Sequence, residues 1–433
     1  MHQDAQGLPV STERPETIAA IDRLLDRQAN QRLDGPERAA LIAAADQDSA
    51  AMPNAIAAIL NIHAGDPKQA GHYVARARAA SMPADRERLF VAAVAAWAEG
   101  DVDTAIANFE SIATRWPRDM YAVRMCCTLK FYVRKDAEGS LALVRRVIDQ
   151  IDYRGQAYAL LSFMEEEAGL FADAEASARA AIEIDRTLIL GQHTVAHVME
   201  AQGRDAEGVA WLEQFPDTWG DLNESFNPHM WMHFGLHYLG AGQGAQALRL
   251  FDEEIATRYL DKGPAQLYGA NLLARAELAG HDVGDRFATI AGKIDIATHR
   301  HTDPLTDLHH VYVLARAGGD VDSFVASMAR HAESLHPGMQ PTWQEVVLPT
   351  AQAITRYLAG DAAGAAAALE PAQPRFIEIG GSAVERGVFE NLWLHAVIAC
   401  GRKAEATTAL NDLRARKGAD HLLVRRFEDL LAA

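Results

Sequence analysis

Two histidine pairs stand at helical spacing, His193 and His197 in HTVAHVMEAQG and His229 and His233 in NPHMWMHFGLHYLGAGQ. An α-helix repeats every 3.6 residues, so each H-x-x-x-H pair projects both imidazoles from one face, a turn apart. His237 would carry the second ladder one turn further. Neutral imidazoles gathered in this way suit a divalent metal such as Zn, Fe or Mn, or a metal-free acid–base pocket. A third reading is a polar seam, in which each ring bonds to backbone or to an acidic side chain and nothing is bound. Glu200, three residues after His197, could join the first ladder as a ligand or as a partner of one.

Three other stretches carry chemistry-bearing residues. In ATHRHTDPLTDLHH (297–310), His301, Asp307 and His309 form a candidate catalytic set, since imidazoles move protons and a carboxylate orients them. Asp307 equally suits the first turn of a helix, where it would bond exposed amides and complement the dipole. His309 and His310 are adjacent, so at most one of them faces a shared groove. In IGGSAVERGVFENLWLHA, Gly380 and Gly381 free the backbone, Ser382 opens a helix and Arg386 follows a turn later. With His395 these make a candidate binding site for an anionic group. No G-K-[ST] follows and no G-x-S-x-G is formed, so neither a nucleotide loop nor a nucleophile elbow is read there. The plainer reading is a tight turn with a capping serine, and Arg386 paired with Glu390 or Asp307. Finally, GLPVST (7–12) reads as an extended arm docked ahead of a helix that starts at Pro15 and Glu16.

The elements that must position these residues are helices. Helix formers dominate, alanine is abundant and long β-branched runs are missing, which points to an all-α chain. In AWAEGDVDTAIANFESIATRWPRDMYAVR one helix stops at Gly100, a second carries Ala105, Phe109 and Ile112, and Pro117 punctuates before the next. Helix-ending glycines recur at Gly169, Gly203, Gly242, Gly280, Gly318, Gly360 and Gly401, with spacing that starts at 34 residues and drifts longer. That is the tetratricopeptide period, progressively loosened, and it predicts an α-solenoid of degenerate helical hairpins. The expected organisation is an N-terminal arm over 1–15 and one solenoid over 16–433, with a histidine-rich central part over 188–318 and C-terminal hairpins over 341–433. Both histidine ladders then fall on the first helix of a hairpin, the helix that lines the concave face.

Composition narrows the partners. Acidic residues number 59 against 41 basic ones, a formal charge of −18 that repels phosphate backbones, so no nucleic-acid partner is expected. No stretch approaches the length of a membrane span and no basic-then-apolar leader opens the chain, so no membrane partner is expected either. Three cysteines, Cys126, Cys127 and Cys400, make neither a disulfide framework nor a C-x-x-C motif, and a cytoplasmic location is expected.

Together the segments resemble the tetratricopeptide repeat protein 38 family nearly end to end. The resemblance is carried by GLPVST, by HTVAHVMEAQGR with its following WLE, by HMWMH, by HTDPLTDLH and by IGGSAVERGVFENLWLHA; Met230 and Met232 depart from the family's pattern. It implies a helical-repeat fold, favours His309 over His310, and brings no established reaction. Two function classes follow. One is a binding protein whose histidine-lined pocket holds a small anionic molecule, a peptide tail or a metal ion. The other is a metal-dependent enzyme of hydrolase or lyase type using His193, His197, His229 and His233. No oligomeric state is legible.

Overall fold

The computed structural model describes residues 2–33, 35–81, 83–336 and 338–433. The fold is all-α, an array of helical hairpins, with one two-stranded exception at the N-terminus. The array divides into two compact units, Met1–Val198 with Asp221–Asn223, and Met199–Gly220 with Glu224–Ala433.

The hairpins are built from a short local device. At Gly65, Gly100 and Gly360 the backbone turns left-handed (φ 68°, 84° and 88°), which ends one helix without a Cβ penalty. The next residue is an aspartate in each case, and its carboxylate accepts the N–H of Gln69, Thr104 or Gly364 to start the following helix. Gly65 belongs to this series although the spacing of the other glycines did not require it.

The two helices of a hairpin differ in burial. Second helices bury one stripe: Val102–Arg115 turns in Ala105, Phe109 and Ile112, as the pattern predicts, and Val321–Ser334 turns in Phe324, Met328 and Ala332. First helices are covered on nearly every side. In Phe226–Gly240 all residues from Asn227 to His237 are buried, and in Pro304–Ala317 all from Asp307 to Leu314. A histidine on such a helix is shut away from bulk water, so its ring nitrogens depend on partners inside the fold.

In the first unit the GLPVST arm is docked. His2–Gln3 pairs antiparallel with Pro9–Val10, while Leu8 and Val10 are buried. In the second unit the last helices return to the first: Lys417 Nζ donates to the Glu200 carbonyl at 2.6 Å, and His421 Nε2 donates to Asp205 Oδ2 at 2.7 Å.

Candidate functional site

Each ladder forms on its own helix. On Ile189–Ala201 the rings of His193 and His197 lie 4.0 Å apart, and His197 Nδ1 sits 3.4 Å from Glu166 Oε1 on the neighbouring Arg154–Glu167 helix. On Phe226–Gly240 the Nε2 atoms of His229 and His233 meet at 2.9 Å, and His229 Nδ1 sits 3.7 Å from Glu385 Oε1. All four histidines are buried. The two pairs therefore share a motif: two imidazoles one turn apart, with a carboxylate behind an Nδ1 atom. Tyr268 packs its ring edge against His229 at 4.5 Å.

His237 does not extend this ladder. Its Nδ1 donates to Asp205 Oδ1 at 2.9 Å, while His421 takes the other carboxylate oxygen. The Leu423 N–H donates to His421 Nδ1, which fixes the Nε2–H tautomer of that ring. Burial would raise the Asp205 carboxyl, but its bonds to His237 and His421 outweigh burial and hold it well below the carboxylate range. Glu200 likewise leaves the histidines, turning instead to Lys417 Nζ (3.1 Å) and Arg275 Nη1 (3.5 Å).

His309 is parted from His301 and Asp307. Two residues apart on a helix, Asp307 and His309 project about 200° from one another. His309 Nδ1 donates to the Leu305 carbonyl (2.7 Å), and its Nε2 accepts from Asn271 Nδ2 (3.0 Å). Asn271 Nδ2 also donates to the Glu385 carbonyl at 2.8 Å. Burial pushes the His309 imidazole down to about 4, so the ring is neutral and serves as a tie between three helices. The residue that joins His301 at Asp307 is His299, not His309: His299 Nε2 lies 2.5 Å from Asp307 Oδ1 and His301 Nδ1 lies 2.9 Å from Oδ2. Helix capping there falls to Asp303, which accepts the N–H groups of Leu305 and Thr306.

The C-terminal motif is committed to its own helix start. Ser382 Oγ accepts from Glu385 N at 3.3 Å and Glu385 Oε2 accepts from Ser382 N at 2.5 Å, a reciprocal capping box. Arg386 Nη1 donates to the carbonyls of Gly380 and Gly381, Glu390 faces Arg416, and Asp307 is held by the two imidazoles. His395 lies apart from Ser382 and Arg386, packed on Phe427 and Tyr357, and burial with the Arg426 charge lowers it to about 4. What the motif does contribute to the ladder is Glu385, through its Oε1 beside His229. Glu385 was legible as the fourth residue of S-x-x-E; Asn271, Tyr268 and Asp205 carry no comparable local pattern.

No family model matches the chain. Among solved structures, the chain is similar to one in the APC/C Cut9–Hcn1 hetero-tetramer, at 12% identity and a TM-score of 0.36 over 96% of this chain and 82% of that one. It is also similar to human IFIT1, seen as a dimer with m7Gppp-AAAA, at 15% identity and a TM-score of 0.39 over 98% and 91%. Likenesses at this level carry no argument about what the protein binds, and the helical-repeat class is read from the chain's own backbone. Among the described residues no helix is long and apolar enough to cross a membrane.

Proposed function

We propose that this helical-repeat protein binds a divalent transition-metal ion at the histidine ladder of His229 with His233, and that the ladder of His193 with His197 is a like site within its own unit. The observation that carries the reading is the approach of His229 Nε2 to His233 Nε2, 2.9 Å apart in a buried helix. One proton can bridge two such nitrogens; a cation satisfies both lone pairs at once. Two imidazole ligands on tetrahedral zinc stand about 3.3 Å apart, so a small rotation of one ring admits the ion. Glu385 and Glu166, each beside an Nδ1 atom, are placed to accept the proton that a ligating imidazole keeps on its other nitrogen. A metal is favoured over an anionic ligand because Ser382 and Arg386 already bond to their own loop. Membership of the tetratricopeptide repeat protein 38 family is part of the same proposal, resting on the motifs that contain both ladders.

Metal analysis of protein purified without an affinity tag tests this. Bound zinc, iron or manganese is expected in the wild type and is lost from His229→Gln/His233→Gln. Chelator should lower the wild-type melting temperature and leave that variant unmoved, because an ion at a hundred times its Kd contributes about 2.7 kcal/mol to the folded state. The same measurement on His193→Gln/His197→Gln gives the stoichiometry of the first ladder. Metal-free wild type that melts identically with and without chelator would remove the reading.

A further inference from the structure

A second histidine–carboxylate cluster, separate from the ladders, stands where the Pro304–Ala317 helix begins. We propose that His299, His301 and Asp307 hold a divalent transition-metal ion in a two-histidine, one-carboxylate site. Each residue offers one ligand atom, and these atoms lie within 4.8 Å of one another. Two imidazoles and one carboxylate leave coordination positions open, a donor set suited to zinc or ferrous iron.

The argument for a cation starts from a tautomer that the geometry offers His301. Ser327 has a single hydroxyl hydrogen, and its Oγ donates it to the Phe324 carbonyl at 2.7 Å. The same Oγ lies 2.8 Å from His301 Nε2; with its hydrogen on the Phe324 carbonyl it accepts there, and His301 then carries its proton on Nε2. In that tautomer Nδ1 is a bare lone pair, and it faces Asp307 Oδ2 at 2.9 Å, with Asp307 fully buried and His301 5% exposed. A lone pair against a carboxylate repels. In that tautomer a metal ion at Nδ1 satisfies both groups, and Ser327 becomes the outer partner that orients the ligating ring.

Two further observations favour the ion. His301 is one of three non-glycine residues with positive φ (51°) among those described, a backbone strain of the kind that persists where side-chain bonds over-determine it. His310, 1% exposed, packs its ring 5.1 Å from His299, and neither of its nitrogens has a hydrogen-bond partner among the described residues. A buried imidazole left this way is costly unless it serves a bound group such as water on the open coordination positions. His299, at 20% side-chain exposure, gives the ion a way in from solvent.

Equilibrium dialysis of chelator-stripped full-length protein against zinc chloride, with zinc read by mass spectrometry, tests the site. His299→Gln is expected to take up one zinc fewer per chain than wild type, and His229→Gln/His233→Gln to retain that zinc. Ser327→Ala should bind the same ion about 10- to 100-fold more weakly. Should Asp307→Asn fail to fold, His299→Gln carries the test, because that position is partly exposed. Nitrogen NMR of His301 supplies the second readout, with Nδ1 unprotonated and shifted at saturating zinc. Equal zinc uptake by wild type and folded His299→Gln overturns the proposal, as does an Nδ1 that stays protonated at saturation. Zinc lost only from the ladder variant overturns this site and leaves the ladder reading standing; zinc lost only from His299→Gln does the reverse.

Discussion

Glu200 stands one turn after His197, yet its carboxylate closes an ion triad with Lys417 and Arg275. Spacing along one helix could not show this, because Lys417 arrives from the other end of the second unit. Burial works to raise the Glu200 carboxyl, but the two cations prevail and lower it from 4.5 to about 2. A depressed carboxylate stabilises the fold above its unfolded value and loses that contribution as pH falls through the folded value. The window is therefore about pH 4.5 down to 2, and the contribution is on the order of 3 kcal/mol. Urea melts of wild type and Glu200→Gln across that window should converge as the pH drops. Curves that stay parallel would show that the triad adds no pH-dependent stability. The same lesson applies to Arg386: its spacing from Ser382 was legible, and only the fold reveals that it bonds to the carbonyls of Gly380 and Gly381.

At the scale of helices the sequence was far more informative. Helix-ending glycines and the amphipathic Val102–Arg115 stripe follow from local chemistry, and the structure contains both. The Gly-Asp joint at Gly65, Gly100 and Gly360 was equally local. What spacing could not supply was which turn of one helix meets which turn of the next. Gly208 is such a meeting point. A Cβ there would collide with the imidazole of His237 from the adjoining helix, the ring that Asp205 holds. Gly208→Ala should therefore cost about 1–3 kcal/mol through overpacking and loosen the His237–Asp205 bond. A lowered melting temperature together with a changed His237 NMR signal is expected; an unaltered melt would show that the helices have room to part.

At the scale of the whole chain, the repeat period identified an all-α array but not its division into two compact units, which depends on contacts far apart in sequence. Long ties of this kind also explain the N-terminal arm. Arg86, 2% exposed, donates from Nη1 to Asp119 Oδ2 (2.7 Å) and from Nη2 to the Pro9 carbonyl (3.0 Å), with Asp4 at 3.8 Å. The Ser11 N–H donates to Glu87 Oε1, the Met120 N–H donates to Gln6 Oε1, and Thr12 donates to Asp48. The arm thus supplies partners to charges that lie inside the first unit. Breaking a buried ion pair from one side leaves the other charge uncompensated and typically costs 3–5 kcal/mol. Excising residues 2–12 takes Asp4 and the Pro9 carbonyl from Arg86 but leaves its ion pair with Asp119, and it removes the buried Leu8 and Val10. The truncated chain should lose about 3–6 kcal/mol through the apolar burial of Leu8 and Val10, and Arg86→Met within it should cost about 3–5 kcal/mol more by leaving the buried Asp119 carboxylate unpaired. Denaturant melts of the three proteins decide the matter. A truncation that melts like the full chain would make the arm an ornament, and a truncation that Arg86→Met stabilises would place its contribution in charge instead of apolar packing.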